Sequence, residues 1–196
     1  AVAIPLEDAL DLAPAKEGLK RDERASAWYF SLVPAVYDGA ARGARDWLTE
    51  FVTTRAPASL GAPLSTVARI QDGLGQIEVW LAANRRLLRS IAEDFDSGRP
   101  FSPDEAAVKH TVIENAIAVT TLALELGGNP GISRDNPLER HHRDALCGKA
   151  HAPQNNLVRT ILARAALGRH AAKPAVSLEP VPVRPHPQPR LAVVGG

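Results

Sequence analysis

The chain has 196 residues, a net charge of +1, 45% hydrophobic residues and 23% charged residues. Those are the proportions of a globular protein, and no block of lysine and arginine of the kind that grips nucleic acid is present. The lone cysteine, Cys147, cannot close an internal disulfide, and no run of about 18 apolar residues exists to span a membrane. A cytoplasmic protein without nucleic-acid or membrane partners is expected. The opening Ala-Val-Ala-Ile-Pro lacks the basic and apolar regions of a secretory leader, and methionine is absent throughout, so we read the chain as beginning mid-protein.

Residues 1–21 are proline-interrupted and mixed in charge, which suits a connector into a helical body over 22–168. From about Ser26 to Thr54, Trp28, Leu32, Val36, Ala40, Trp47, Leu48 and Phe51 predict a helix that Pro34 either kinks or opens. Residues 56–65 read as a loop from their proline and glycine. Val67, Ile70, Leu74, Ile77, Leu81, Leu88, Ile91 and Phe95 then alternate in steps of three and four, with Asn84 in one slot. That spacing makes an apolar seam along a long helix from about Thr66 to Asp96. Ser97-Gly98-Arg99-Pro100 ends it. Ser102, Pro103 and Glu105 carry an N-cap, a first helical position and a capping box, and the helix they start should stop at Gly127-Gly128. A short helix over about Pro137–Lys149 and a last one over about Pro153–Leu167 complete an all-α, antiparallel four-helix bundle of long helices. The stretch 169–196, with six prolines between Ala171 and Arg190, reads as an extended Pro-rich tail. Its end, Arg190-Leu-Ala-Val-Val-Gly-Gly196, is either the first strand and turn of a dinucleotide-binding unit or a plain tail strand.

Few residues carry chemistry by type and spacing alone. Gly127-Gly128-Asn129-Pro130-Gly131 holds several residues able to take positive φ; it is either a helix cap or a bare backbone that a phosphate or cofactor can approach. Glu139–Arg143 and Arg140–Asp144 have the i,i+4 spacing of surface ion pairs. His141 and His142 point about 100° apart on a helix and cannot chelate one metal ion, so no metal site is expected. Cys147 is expected to be a small core residue. His151 is a candidate acid or base by residue type, or a surface or capping histidine.

Taken together, Gly127-Gly128-Asn129, Leu138-Glu139-Arg140, Arg143-Asp144-Ala145 and Arg159 resemble the C-terminal helical domain of the acyl-CoA dehydrogenase superfamily. Phe51-Val-Thr-Thr-Arg55 and Gln71 resemble its first two bundle helices. The resemblance implies a flavoprotein using FAD or FMN, with Arg55, Gln71, Gly127, Gly128, Gln154 and Asn156 as flavin contacts. It also implies a β-domain half of the same enzyme or a partner subunit, and a homo-oligomer (dimer or tetramer) in which a neighbouring Gly-Gly turn reaches the flavin. The family's catalytic glutamate falls on Ala152, and its other base position falls near Tyr29; neither is a carboxylate. His151-Ala152-Pro153 is instead similar to the flavin-dependent monooxygenases built on the same fold. There a histidine assists the flavin's reaction with oxygen, and a flavin reductase is a possible partner. His151 is thus the catalytic candidate of an oxidoreductase leaning to a monooxygenase, inactive without its missing domains. The alternatives are an acyl-CoA dehydrogenase with a displaced base, and a non-catalytic helical assembly domain.

Overall fold

Three long helices dominate the computed structural model, which describes residues 23–100 and 102–168. They are α1 (Glu23–Thr54), α2 (Ala68–Asp96) and α3 (Pro103–Gly127), followed by α4 (Asn129–Ile132), α5 (Leu138–Cys147) and α6 (Asn155–Gly168). A single 3₁₀ turn, Leu64–Thr66, lies in the α1–α2 loop, and no strand occurs among the described residues. The expected connector over 1–21 and the tail over 169–196, with its Arg190–Gly196 end, lie outside the described residues. Among the described residues no helix is long and apolar enough to cross a membrane.

The ends of the helices follow local chemistry. Pro34 lies well inside α1, on its buried side, and does not open the helix. Ser102 accepts a hydrogen bond from the Asp104 amide while Glu105 accepts one from the Ser102 amide, which forms the capping box and starts α3. Gly128 closes α3 with φ 61°, a value that favours glycine. Of the loop's residues only Gly128 takes positive φ; Asn129 to Ile132 wind into α4 instead.

Side-chain pairs fix the directions of the helices. Arg45–Glu78, the Arg42 bond to the Leu81 carbonyl, and Asp38–Asn84 step in opposite senses along α1 and α2, so these run antiparallel. The bond between Asn84 and Asn115, and the contact of Gly73 with Leu126, do the same for α2 and α3. The fourth helix of the bundle is broken. His142 bonds Thr120 and Gly148 meets Ile113, so α5 lies antiparallel over the C-terminal half of α3. Asn155 bonds Glu114 and Arg159 meets His110, so α6 continues along the N-terminal half. The break, residues 148–154, therefore sits part-way up the bundle.

The α2 seam faces inward as its spacing predicts, Asn84 included, which is fully buried. On α1 the expectation is corrected. The inward stripe is Phe30, Pro34, Tyr37, Ala41, Ala44, Leu48 and Val52. Trp28, Leu32 and Val36, at i, i+4 and i+8, form a second stripe that is 51%, 53% and 69% exposed. The cause is angular: Trp28 is two residues from Phe30, about 200° around the helix. Cys147 is also corrected: it is exposed, because Leu138 and Ala145 give α5 its buried face. Glu139–Arg143 pairs at 3.1 Å, whereas Arg140–Asp144 is not among the ion pairs of the described residues.

Apolar packing falls into two clusters. The larger joins α1, α2, α3 and α5; the smaller gathers Phe30, Ile91, Ala106 and Val158, with Tyr29 and Leu162 packed against it. Between them lies a polar layer. Asp38 accepts from Arg42 (2.7 Å) and Asn84 (2.9 Å), and Asn84 accepts from Asn115 (2.8 Å). Most buried polar groups in proteins are paired in this way. The layer lies at the level of the break in the fourth helix.

Candidate functional site

Two groups of sequence-predicted residues lie at different heights. The first gathers at the end of the bundle where α1 finishes, α2 begins and α3 is capped. The Arg55 carbonyl accepts from the Leu64 amide, and the Gln71 side chain donates to the Ser65 carbonyl at 2.9 Å, so both residues flank the same loop. The Arg55 side chain is exposed. Gly127 packs its α-carbon against Trp47, whose ring stacks on Phe51 at 5.0 Å and 9°. A Cβ added at Gly128 would meet nothing within 4 Å, so its backbone is open to close approach. Beside this turn lies an open cleft of about 380 Å³ lined by Trp47, Glu50, Phe51, Thr54, Asp135, Asn136 and Pro137.

The second group surrounds the break in the fourth helix. His151 is exposed, and its Nδ1 lies 2.8 Å from the Tyr37 hydroxyl. Tyr29 and Tyr37 both set their rings edge-on to the His151 ring at 6.0 Å. The Tyr29 hydroxyl also donates to the Ala152 carbonyl. The two positions at which the sequence resemblance locates the family's base, Tyr29 and Ala152, are thus in direct contact across α1 and the break. Beneath them Lys109, wholly buried, donates from Nζ to the carbonyls of His151 and Pro153, each at 3.0 Å. Burial pulls the Lys109 ammonium below its ordinary value. Burial pushes the Tyr29 phenol up; Tyr37 is raised first by burial and then by Cys147 and Tyr29. Gln154 and Asn156 are exposed at the start of α6, flanking Asn155, whose side chain is turned inward to Glu114 at 2.6 Å.

The two groups are far apart. From Tyr37 to Thr54 along α1 the helix rises about 25 Å. His151, Gln154 and Asn156 therefore do not join Arg55, Gln71, Gly127 and Gly128 in one pocket of a single chain. Sequence reasoning missed Tyr37 and Lys109. Lys109 carried a faint signal, a lone cation among Ala106, Ala107, Val108, Val112 and Ile113. His141 and His142 diverge as their spacing requires, one against Gly43 and the other to Thr120. Burial lowers both. No cluster of three or more His, Cys, Asp or Glu able to hold a metal ion occurs among the described residues.

A family model described as "Acyl-CoA dehydrogenase, C-terminal domain" matches residues 32–156. The Bacillus subtilis protein YdbM, named after acyl-CoA dehydrogenases, is 33% identical over 141 residues, covering 70% of this chain and 37% of that protein. Acryloyl-CoA reductase (NADH) of Anaerotignum propionicum is 33% identical over 131 residues, covering 67% of this chain and 33% of the relative. The solved structure of butyryl-CoA dehydrogenase from Megasphaera elsdenii superposes with a TM-score of 0.66 at 28% identity, covering 70% of this chain and 36% of that one. The chain thus spans about a third of the length of these proteins. It belongs to the acyl-CoA dehydrogenase family, of which it carries the C-terminal helical domain.

Proposed function

We propose that the chain is the C-terminal helical part of an FAD-dependent oxidoreductase in which His151 serves the reactants where relatives use a carboxylate, in the manner of a flavin-dependent monooxygenase. The observation that carries this is the set of groups at the break. Among the described residues, the side-chain hydrogen bonds of Tyr29, Tyr37, His151 and Lys109 go to one another or to backbone carbonyls, and none to a carboxylate. Ala152 has no group that can take a proton. Abstraction of a proton from carbon needs a base within hydrogen-bond reach, and among the described residues no carboxylate bonds these four side chains.

The far end of the bundle suits FAD. The open backbone at Gly128 admits close approach, the exposed Arg55 guanidinium matches a pyrophosphate, and Gln71 retains an amide oxygen beside it. Bound FAD supplies a two-electron carrier; the chain's own residues bind and orient it. A separation of about 25 Å along α1 suits two contact sets serving flavins of neighbouring copies, Arg55, Gln71, Gly127 and Gly128 for one, and His151, Gln154 and Asn156 for the other. That arrangement requires a homo-oligomer, dimer or tetramer. The exposed stripe of Trp28, Leu32 and Val36 calls for cover by the β-domain half of the same enzyme or by a partner subunit. A flavin reductase would supply electrons in the monooxygenase reading.

A second reading, an acyl-CoA dehydrogenase or reductase with its base supplied elsewhere, is favoured by the names of the relatives. The two are separated in the assembled, FAD-loaded enzyme. Reduced enzyme mixed with labelled oxygen should place one labelled atom in the product, and His151→Gln should lower that incorporation at least tenfold. Bleaching of the flavin by a saturated acyl-CoA, with no label in the product, would overturn the first reading and support the second.

A further inference from the structure

The hydrogen bond between Tyr37 and His151 defines which ring nitrogen of His151 is free to act. Tyr37 lies on the inward stripe of α1 and is 8% exposed. Its hydroxyl carries one proton, and the partner recorded for it among the described residues is His151 Nδ1, at 2.8 Å. If Nδ1 carried a proton and donated it, the phenolic proton would have no acceptor there. A polar hydrogen left without an acceptor on a buried residue is disfavoured. With Tyr37 as the donor, the phenolic proton is met, and the ring's own proton is left on an exposed residue that water can reach. Nδ1 is then bare, and the neutral ring carries its proton on Nε2.

Two further contacts hold that geometry. Lys109 fixes the backbone on either side of Ala152 through the carbonyls of His151 and Pro153. Tyr29 sets its ring against the His151 ring and its hydroxyl on the Ala152 carbonyl. The break is thus clamped to α1 and α3 at three successive residues. Burial, then Cys147 and Tyr29, push the Tyr37 phenol up, so Tyr37 remains a proton donor throughout the physiological range.

We propose that Tyr37 is a positioning residue that fixes His151 as its Nε2–H tautomer, so that the ring meets its reactant as a hydrogen-bond donor and not as a base. The role of the ring toward a reactant rests on the function proposed above; the tautomer does not. A donor at this place recognises an oxygen atom that gains negative charge during the reaction, such as a thioester carbonyl or an oxygen atom delivered from dioxygen. The reactant class is accordingly one with an acceptor oxygen next to the flavin. In this form His151 does not itself serve as the base for a C–H acid.

The tautomer can be read in the full 196-residue chain without flavin. The nitrogen-labelled chain is recorded at pH 8, and long-range proton–nitrogen spectra of its histidine rings are compared. His151→Gln identifies the His151 signals by their loss. The expected result is a single Nε2–H pattern in the wild type, shifting toward a two-tautomer average in Tyr37→Phe. An Nδ1–H pattern in the wild type, or a wild-type signal already at the position seen in Tyr37→Phe, would overturn the proposal. Because no flavin is present, these outcomes are independent of whether the assembled protein proves to be an oxidoreductase.

Discussion

Lys109 shows how much of a site depends on side chains with no chemistry of their own. Its ammonium is buried with no carboxylate partner among the described residues, and two carbonyls of the break accept from it. Hydrogen bonds to a charged group contribute about 1.5–3 kcal/mol, but a buried charge also costs several kcal/mol to desolvate. The two effects largely cancel for the bundle and do not cancel for the loop. Lys109→Met should therefore change the urea midpoint little, while exchange of the Lys149 and Ala150 amides, which donate to the Leu146 and Cys147 carbonyls, quickens about tenfold or more, as loss of roughly 1.4 kcal/mol of local protection requires. Unchanged exchange across the break would show that Lys109 does not hold it. His151 and the alanine beside it were legible in the sequence, because the Arg143-Asp144-Ala145 stretch sets the register that leads to them. Tyr37 and Lys109 were not. Their roles depend on which helix lies over which, and a lysine on a mostly apolar helix reads equally well as a solvent-facing residue.

Among the elements, the helices were legible nearly to their ends. Caps and breakers act within one turn, so Ser102, Pro103, Glu105 and the Gly127-Gly128 pair identify their boundaries locally. The inner face of α1 was not legible. Trp28, Leu32 and Val36 are spaced like a core stripe, and only packing shows that Phe30, Tyr37 and Ala41 hold that place. Nor could periodicity reveal that α5 and α6 are two halves of one broken helix, since their stacking along α3 is a tertiary fact. The polar layer at the break has a testable energy. Asn84→Ala would leave Asp38 Oδ1 and the Asn115 amide without their partner inside the bundle. The expected loss is about 1–3 kcal/mol, seen as a lower urea midpoint with the slope unchanged. A midpoint equal to wild type would mean that water replaces the amide and that the layer is not closed.

For the whole molecule, the chain carries the helical domain of a larger architecture and exposes what such a domain would cover. The stripe of Trp28, Leu32 and Val36, the turn at Gly128 and His151 are exposed, and the function proposed above assigns them to contacts with further parts of such an enzyme. Arg55, Gln71 and the Gly127-Gly128 turn are proposed to bind FAD once those parts are supplied. The most direct measurement is the visible spectrum of the chain purified after production with the segment that completes the relatives' length, for the wild type and for Arg55→Ala. The wild-type complex should be yellow, with FAD near one per chain, and Arg55→Ala should lose at least nine-tenths of it while still assembling. A colourless wild-type complex, assembled and helical, would contradict the claim and leave the chain a helical assembly domain.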